Sequence, residues 1–76
     1  MKQALIIEVT NQPGVLSRVA QVFSRRGFNI ESLQVDPTET PGISIMTLSA
    51  DGPEAMWPQI IKQTTKLIDV IQCKPR

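Results

Sequence analysis

A chain of 76 residues holds one small domain, and a domain of this size hides only roughly 60% of the surface its unfolded chain exposes, so its core is thin. Eight Lys and Arg against seven Asp and Glu leave a net charge of +1, too weak a field to gather nucleic acid or an anionic membrane surface. Histidine is absent and Cys73 is the single cysteine, which excludes an intrachain disulfide and a His/Cys metal cluster, and no stretch approaches the ~20 apolar residues of a membrane-spanning helix.

The first segment, Ala4-Leu5-Ile6-Ile7-Glu8-Val9, is rich in β-branched residues and closed by Asn11-Gln12-Pro13-Gly14, which predicts a mostly buried strand over about residues 3–10. A helix start follows. Asn11 is placed to cap it, Pro13 suits a first turn because its missing N–H is not needed there, and Gly14 lets another group come close. Leu16, Val19, Ala20 and Phe23 then fall at i, i+3, i+4 and i+7, one apolar stripe of a helix over about residues 13–26, widened by Val15 and Val22. Ser17, Arg18, Gln21, Ser24 and Arg25 hold the other side, and Gly27 is a natural stop.

Phe28 to Val35 alternates in part and predicts a strand over about residues 28–36, before the turn-rich Asp36 to Gly42. Ile43 to Ala50 alternates again, with Ser44, Met46 and Leu48 on one face and Ile45, Thr47 and Ser49 on the other, completing a hairpin with a strand over about residues 43–50. Asp51-Gly52-Pro53 restarts a helix, but Pro58 inside one removes a hydrogen bond and costs ~3 kcal/mol or more. The expectation is therefore an irregular or 3₁₀ turn from Pro53 to Trp57 and regular helix over about residues 58–65. The closing run from Leu67 to Cys73 predicts a fourth strand over about residues 67–74, with Cys73 half-buried in it. The order β-α-β-β-α-β with right-handed crossovers implies an α+β, ferredoxin-like domain. Its four-stranded antiparallel sheet should run 4-1-3-2, with both helices on one face.

Catalysis finds little here. There is no histidine or tyrosine, the serines lack a base, and the carboxylates fall mostly at turns or element ends. No strand carries the aromatic pair on which RNA-binding sheets stack bases. Residues 11–17, NQPGVLS, are more informative: a strand ends, the chain bends on Pro-Gly, and a helix opens with amides at Gly14, Val15 and Leu16 that attract a carboxylate. Asn29, at the start of the second strand, can donate to and accept from an amino acid's polar groups. By spacing alone the same residues also describe an ordinary capped helix start and an ordinary strand start.

At these residues the chain resembles a known family. NQPGVLSRVAQVFSRRGFNIESLQV, Asn11 to Val35, is similar to the opening of the ACT domain in the small regulatory subunit of acetolactate synthase (acetohydroxyacid synthase). Asp36-Pro37-Thr38, SIMTL from Ser44 to Leu48 and KLIDV from Lys66 to Val70 extend the likeness over nearly the whole chain. The resemblance implies a cytoplasmic, non-catalytic subunit without a cofactor of its own. It would bind a thiamine-diphosphate-dependent catalytic subunit and transmit feedback by valine or another branched-chain amino acid. It also implies a homodimer joined through the second-strand edge. Asn11, Gly14, Val15, Leu16 and Ser17 of one copy would hold the effector together with Asn29 and Ile30 of the other, Gln12 being a loop neighbour. Alternatives at this point are an interaction module that binds no effector and a free-standing amino-acid sensor for another enzyme or regulator. Asn11 stands where ACT loops often carry Asp, and many members of the family continue into a second domain.

Overall fold

The computed structural model describes all residues, Met1–Arg76. Its elements are β1 (Lys2–Thr10), α1 (Val15–Arg25), β2 (Asn29–Pro37), β3 (Ile43–Asp51), a 3₁₀ turn at Glu54–Met56, α2 (Trp57–Thr65) and β4 (Val70–Pro75). The strands form one antiparallel sheet in the order β2-β3-β1-β4, the expected ferredoxin-like arrangement. β2 and β4 are its edges.

Period-2 alternation builds the core. Leu5, Ile7 and Val9 of β1 lie opposite Leu48, Met46 and Ser44 of β3 in register, and all six are buried. Val15, Val19 and Phe23 of α1 and Trp57, Ile60 and Thr64 of α2 close over the same sheet face. Each such apolar side chain contributes about 1.5–3 kcal/mol on leaving water, which a chain this short needs from nearly every core position. Thr64 can be buried because its hydroxyl donates to the Ile60 carbonyl at 2.8 Å and so is not left unpaired.

Pro58 acts as the sequence predicts, whereas Pro13, expected in the first turn of α1, lies in the turn ahead of its N-cap Gly14. A 3₁₀ turn precedes α2, and Pro58 occupies the helix's first turn, where no N–H is required. At this end of the sheet Phe23, Phe28 and Trp57 meet edge to face, with centroids 4.8–6.4 Å apart. Such pairs contribute about 0.5–1.5 kcal/mol each beyond their buried area. The Trp57 indole N–H donates to the Met1 carbonyl at 3.2 Å. The Met1 ammonium donates to Asp51 Oδ1 at 2.9 Å and holds that carboxyl below the usual carboxylate range.

Two expectations are corrected. Leu16 is 46% exposed, and the buried stripe of α1 runs Val15–Val19–Phe23 with Val22 partly buried. A turn of ~100° per residue carries Leu16 around the helix from Val15, away from the sheet. The last strand begins at Val70, not near residue 67. Lys66 and Leu67 donate back to Gln63 and Thr64, Val70 donates to Leu67, and the intervening residues form a tight turn that leaves Ile68 94% exposed. A bulge then pairs Glu8 with Gln72 and Val9 with Val70, turning Ile71 outward at 49% exposure.

Candidate amino-acid site at the tip of the first helix

The site begins with the way β1 hands over to α1. Gly14 precedes the helix with φ +84°, a left-handed backbone that costs a residue with a side chain about 1–2 kcal/mol. No side chain caps the helix. Asn11, expected in that role, instead donates its backbone N–H to the Gly42 carbonyl at 2.7 Å, tying the loop to the β2–β3 hairpin. The Val15 N–H reaches the Gln12 carbonyl in a long 3.3 Å bond, while the amides of Gly14, Leu16 and Ser17 donate to no backbone carbonyl. The helix tip therefore keeps donors for an incoming anion.

Beside that tip lies a cavity of about 250 Å³. Val9, Ser44 and Met46 form its sheet wall, Thr10, Asn11 and Gln12 its loop, Gly14, Val15 and Leu16 its helix end, and Val35 of the edge strand its outer side. None of these side chains is charged. Its volume lies at the small end of ligand clefts, which run about 300–1,000 Å³. A mixed polar and apolar lining with a positive helix tip, worth ~0.3–1 kcal/mol toward a carboxylate, suits a small amphiphilic anion or zwitterion.

Of the residues singled out by sequence, Asn11, Gly14, Val15 and Leu16 line this cavity together; Ser17 lies one residue beyond its helix wall. Asn29 and Ile30 do not join them within one chain. They pair with Asp51 and Ala50 at the aromatic end of the sheet, whereas Val35 pairs with Met46 at the cavity end. Six residues of strand at about 3.3 Å each separate Asn29 from Val35 by roughly 20 Å. The sheet wall of Val9, Ser44 and Met46, with Val35 and Thr10, was missed as part of the site. Alternation had put Ser44 and Met46 on one face, and the strand order sets that face beneath the α1 tip.

Elsewhere, no three His, Cys, Asp or Glu side chains are grouped to hold a metal ion. Cys73 is half-buried, and loss of water around the thiol pushes its pKa up to about 11. No helix is long and apolar enough to cross a membrane.

A βαββαβ sheet with a cavity between the first strand's end and the first helix's tip has the architecture of an ACT domain. The chain belongs to the family described as the AHAS small subunit-like ACT domain, whose model matches residues 5–72. It is 53% identical over 68 residues to the acetolactate synthase small subunit of Mycobacterium avium, covering 90% of this chain and 41% of the relative. It is 47% identical over 72 residues to the acetolactate synthase isozyme 3 small subunit of Escherichia coli, covering 95% of this chain and 44% of that one. Among solved structures, the acetolactate synthase small subunit from Thermotoga maritima superposes with a TM-score of 0.85 at 40% identity, covering 99% of this chain and 47% of the other. The chain thus spans less than half the length of these relatives.

Proposed function

We propose that this chain is the effector-binding module of a regulatory, non-catalytic small subunit of acetolactate synthase. In this reading it works in the cytoplasm, pairs with a second copy, binds a branched-chain amino acid (valine first) and passes that binding on to a separate catalytic subunit. The observation that carries the reading is the uncharged cavity at the α1 tip, bounded on its outer side by Val35 of an edge strand.

That outer boundary supports a shared site. β2 has nine residues and an unpaired edge, a surface that proteins cover or pair. Two copies joined by a two-fold axis there would run antiparallel and self-complementary. Centring the pairing on Leu33 sets Asn29 of one copy across from Pro37 of the other, and centring it on Ser32 sets Asn29 across from Val35. Either register brings the partner's Asn29 and Ile30 to the cavity that their own chain keeps roughly 20 Å away. The ligand's carboxylate then meets the helix-tip amides, its remaining polar atoms meet Asn11 and the partner's Asn29, and its apolar side chain meets Val9, Val35 and Met46.

A ligand of about eight heavy atoms, at half the ~1.5 kcal/mol per atom ceiling, gains roughly −6 kcal/mol, a Kd of tens of micromolar. Regulation requires the two states of the assembly to differ in affinity for it, since equal binding shifts no equilibrium. The test is calorimetric titration with L-valine, L-leucine and L-isoleucine, alongside sedimentation equilibrium. The expected result is one saturable site per chain in a dimer. A dimer that binds none of the three at millimolar concentration would leave an interaction module and end the effector reading.

A further inference from the structure

The loop that frames the cavity is anchored from outside it, and the anchor is one carboxylate. Asp69, in the turn between α2 and β4, accepts the Thr10 hydroxyl at 3.1 Å through Oδ1, and its backbone carbonyl accepts the Thr10 N–H at 2.8 Å. Its other oxygen, Oδ2, takes the Arg18 guanidinium in an ion pair. Arg18 leaves from the first turn of α1, where its N–H donates to the Gly14 carbonyl at 3.0 Å. The side chain folds back so closely over Gly14 that a Cβ there would sit 3.0 Å from Nη1. Asp69 is 15% exposed and Arg18 46%, so the carboxylate end of the pair is the sheltered one. Thr10 and Gly14 are the first and last loop residues lining the cavity, and the same carboxylate reaches both, one directly and one through Arg18.

We propose that Arg18 and Asp69 are positioning residues for the amino-acid site: a latch that presets the Thr10–Gly14 loop in its ligand-receiving shape. Neither side chain lines the cavity, so the pair acts through the backbone it holds. The proposal rests on the effector reading for its purpose and on the ion pair for its substance. Presetting matters because a loop that must be ordered by its ligand charges that ordering against affinity. It also explains why this turn replaces the strand expected from Leu67 onward. Asp69 must face Thr10 and Arg18 at a bend, and the strand resumes only at Val70.

The experiment compares wild type, Asp69→Asn, Arg18→Gln, the double variant Arg18→Gln with Asp69→Asn, and Arg18→Lys, each as the 76-residue chain. Asparagine keeps an oxygen for the Thr10 hydroxyl and loses the charge that holds Arg18, so the fold itself should stand. Amide hydrogen exchange by NMR reads the loop without any ligand. Protection of the backbone amides at positions 15 and 18, corrected for intrinsic exchange, should fall about tenfold in both single variants and no further in the double, while the β1–β3 ladder stays unchanged. Arg18→Lys, which keeps the charge without the forked donors, should recover part of that protection. L-valine affinity should fall about three- to tenfold in the same order. Unchanged protection of the amides at positions 15 and 18 in either single variant would overturn the latch, as would equal loosening of loop and ladder. Wild type that takes no valine, while the variants loosen only the loop, would remove the effector reading and leave the latch standing.

Discussion

The two ends of α1 meet opposite fates. At its C-terminal end Phe23 packs into Phe28 and Trp57, and Gly52 lies so close beneath Phe28 that an added Cβ would fall 2.3 Å from the ring. At its N-terminal end there is no cap, the turn carries a left-handed glycine, and a cavity of about 250 Å³ stays open. One helix thus joins a region where every contact is filled to one where donors and space are left over. Stability concentrates at the aromatic end, and the proposed ligand site lies at the other.

Substitutions at the two ends should therefore separate folding from binding. The largest effect is expected from Trp57→Ala, which removes the largest buried ring of the aromatic cluster and should cost about 3–5 kcal/mol in urea unfolding. In so small a domain that loss approaches the whole stability. Gly52→Ala should cost about 1–3 kcal/mol by overpacking, because the added Cβ meets the body of the Phe28 ring, which packs edge to face on Phe23 and Trp57. If either variant lost valine binding yet kept its unfolding midpoint, the division between the ends would be wrong.

At the cavity end the order reverses. Gly14→Asp should reduce L-valine affinity about a hundredfold or more, since a carboxylate at the helix tip repels the ligand's own. Its stability cost should be about 1–2 kcal/mol, from the left-handed backbone. Gly14→Ala is the control: it carries the same backbone strain and the same crowding of Arg18 without the charge, and should lose less affinity than Gly14→Asp. Ser44→Ala is gentler. It removes a hydroxyl from the cavity wall without adding volume, and should lower affinity about tenfold while moving stability by less than about 1 kcal/mol.

The smallest effect belongs to Cys73, away from both ends. With its thiol pKa raised to about 11, the folded chain holds a proton that the unfolded chain has already lost, so stability should fall as pH climbs from about 9 through 11. Below that window the thiol is neutral in both states and contributes nothing to the pH dependence. Cys73→Ala should flatten that decline, and alkylation of the native thiol by iodoacetamide should stay slow until the same range.

The fold was legible because its signals were redundant. β-branched enrichment in β1 and alternation in β3 marked two strands, the spacing in α1 named a helix, and Pro58 announced the 3₁₀ turn ahead of α2. Leu16 was misread because helical periodicity defines a stripe without saying how far the helix rolls on its sheet. Leu67 to Asp69 were misread because an apolar, β-branched run looks the same in a strand and in a turn. What decides it is Asp69's contact with Thr10 and Arg18, fifty or more positions away in the chain. The helix tip of the site could be read from Pro13 and Gly14. Its sheet wall could not, because Ser44 and Met46 become neighbours of Gly14 only when the strands are ordered in space.

A shared site between two copies makes one demand that no single-chain site makes. Gly14→Asp breaks the loop side and Asn29→Ala the partner side, so each variant alone should bind no L-valine by calorimetry. When the two are unfolded together and refolded at equal amounts, half of the dimers are mixed, and each mixed dimer holds one intact loop facing one intact Asn29. About a quarter of the wild-type sites should then return at wild-type affinity. If mixed dimers form and no binding returns, or if Asn29→Ala alone binds as wild type does, the site belongs to one chain and the account fails.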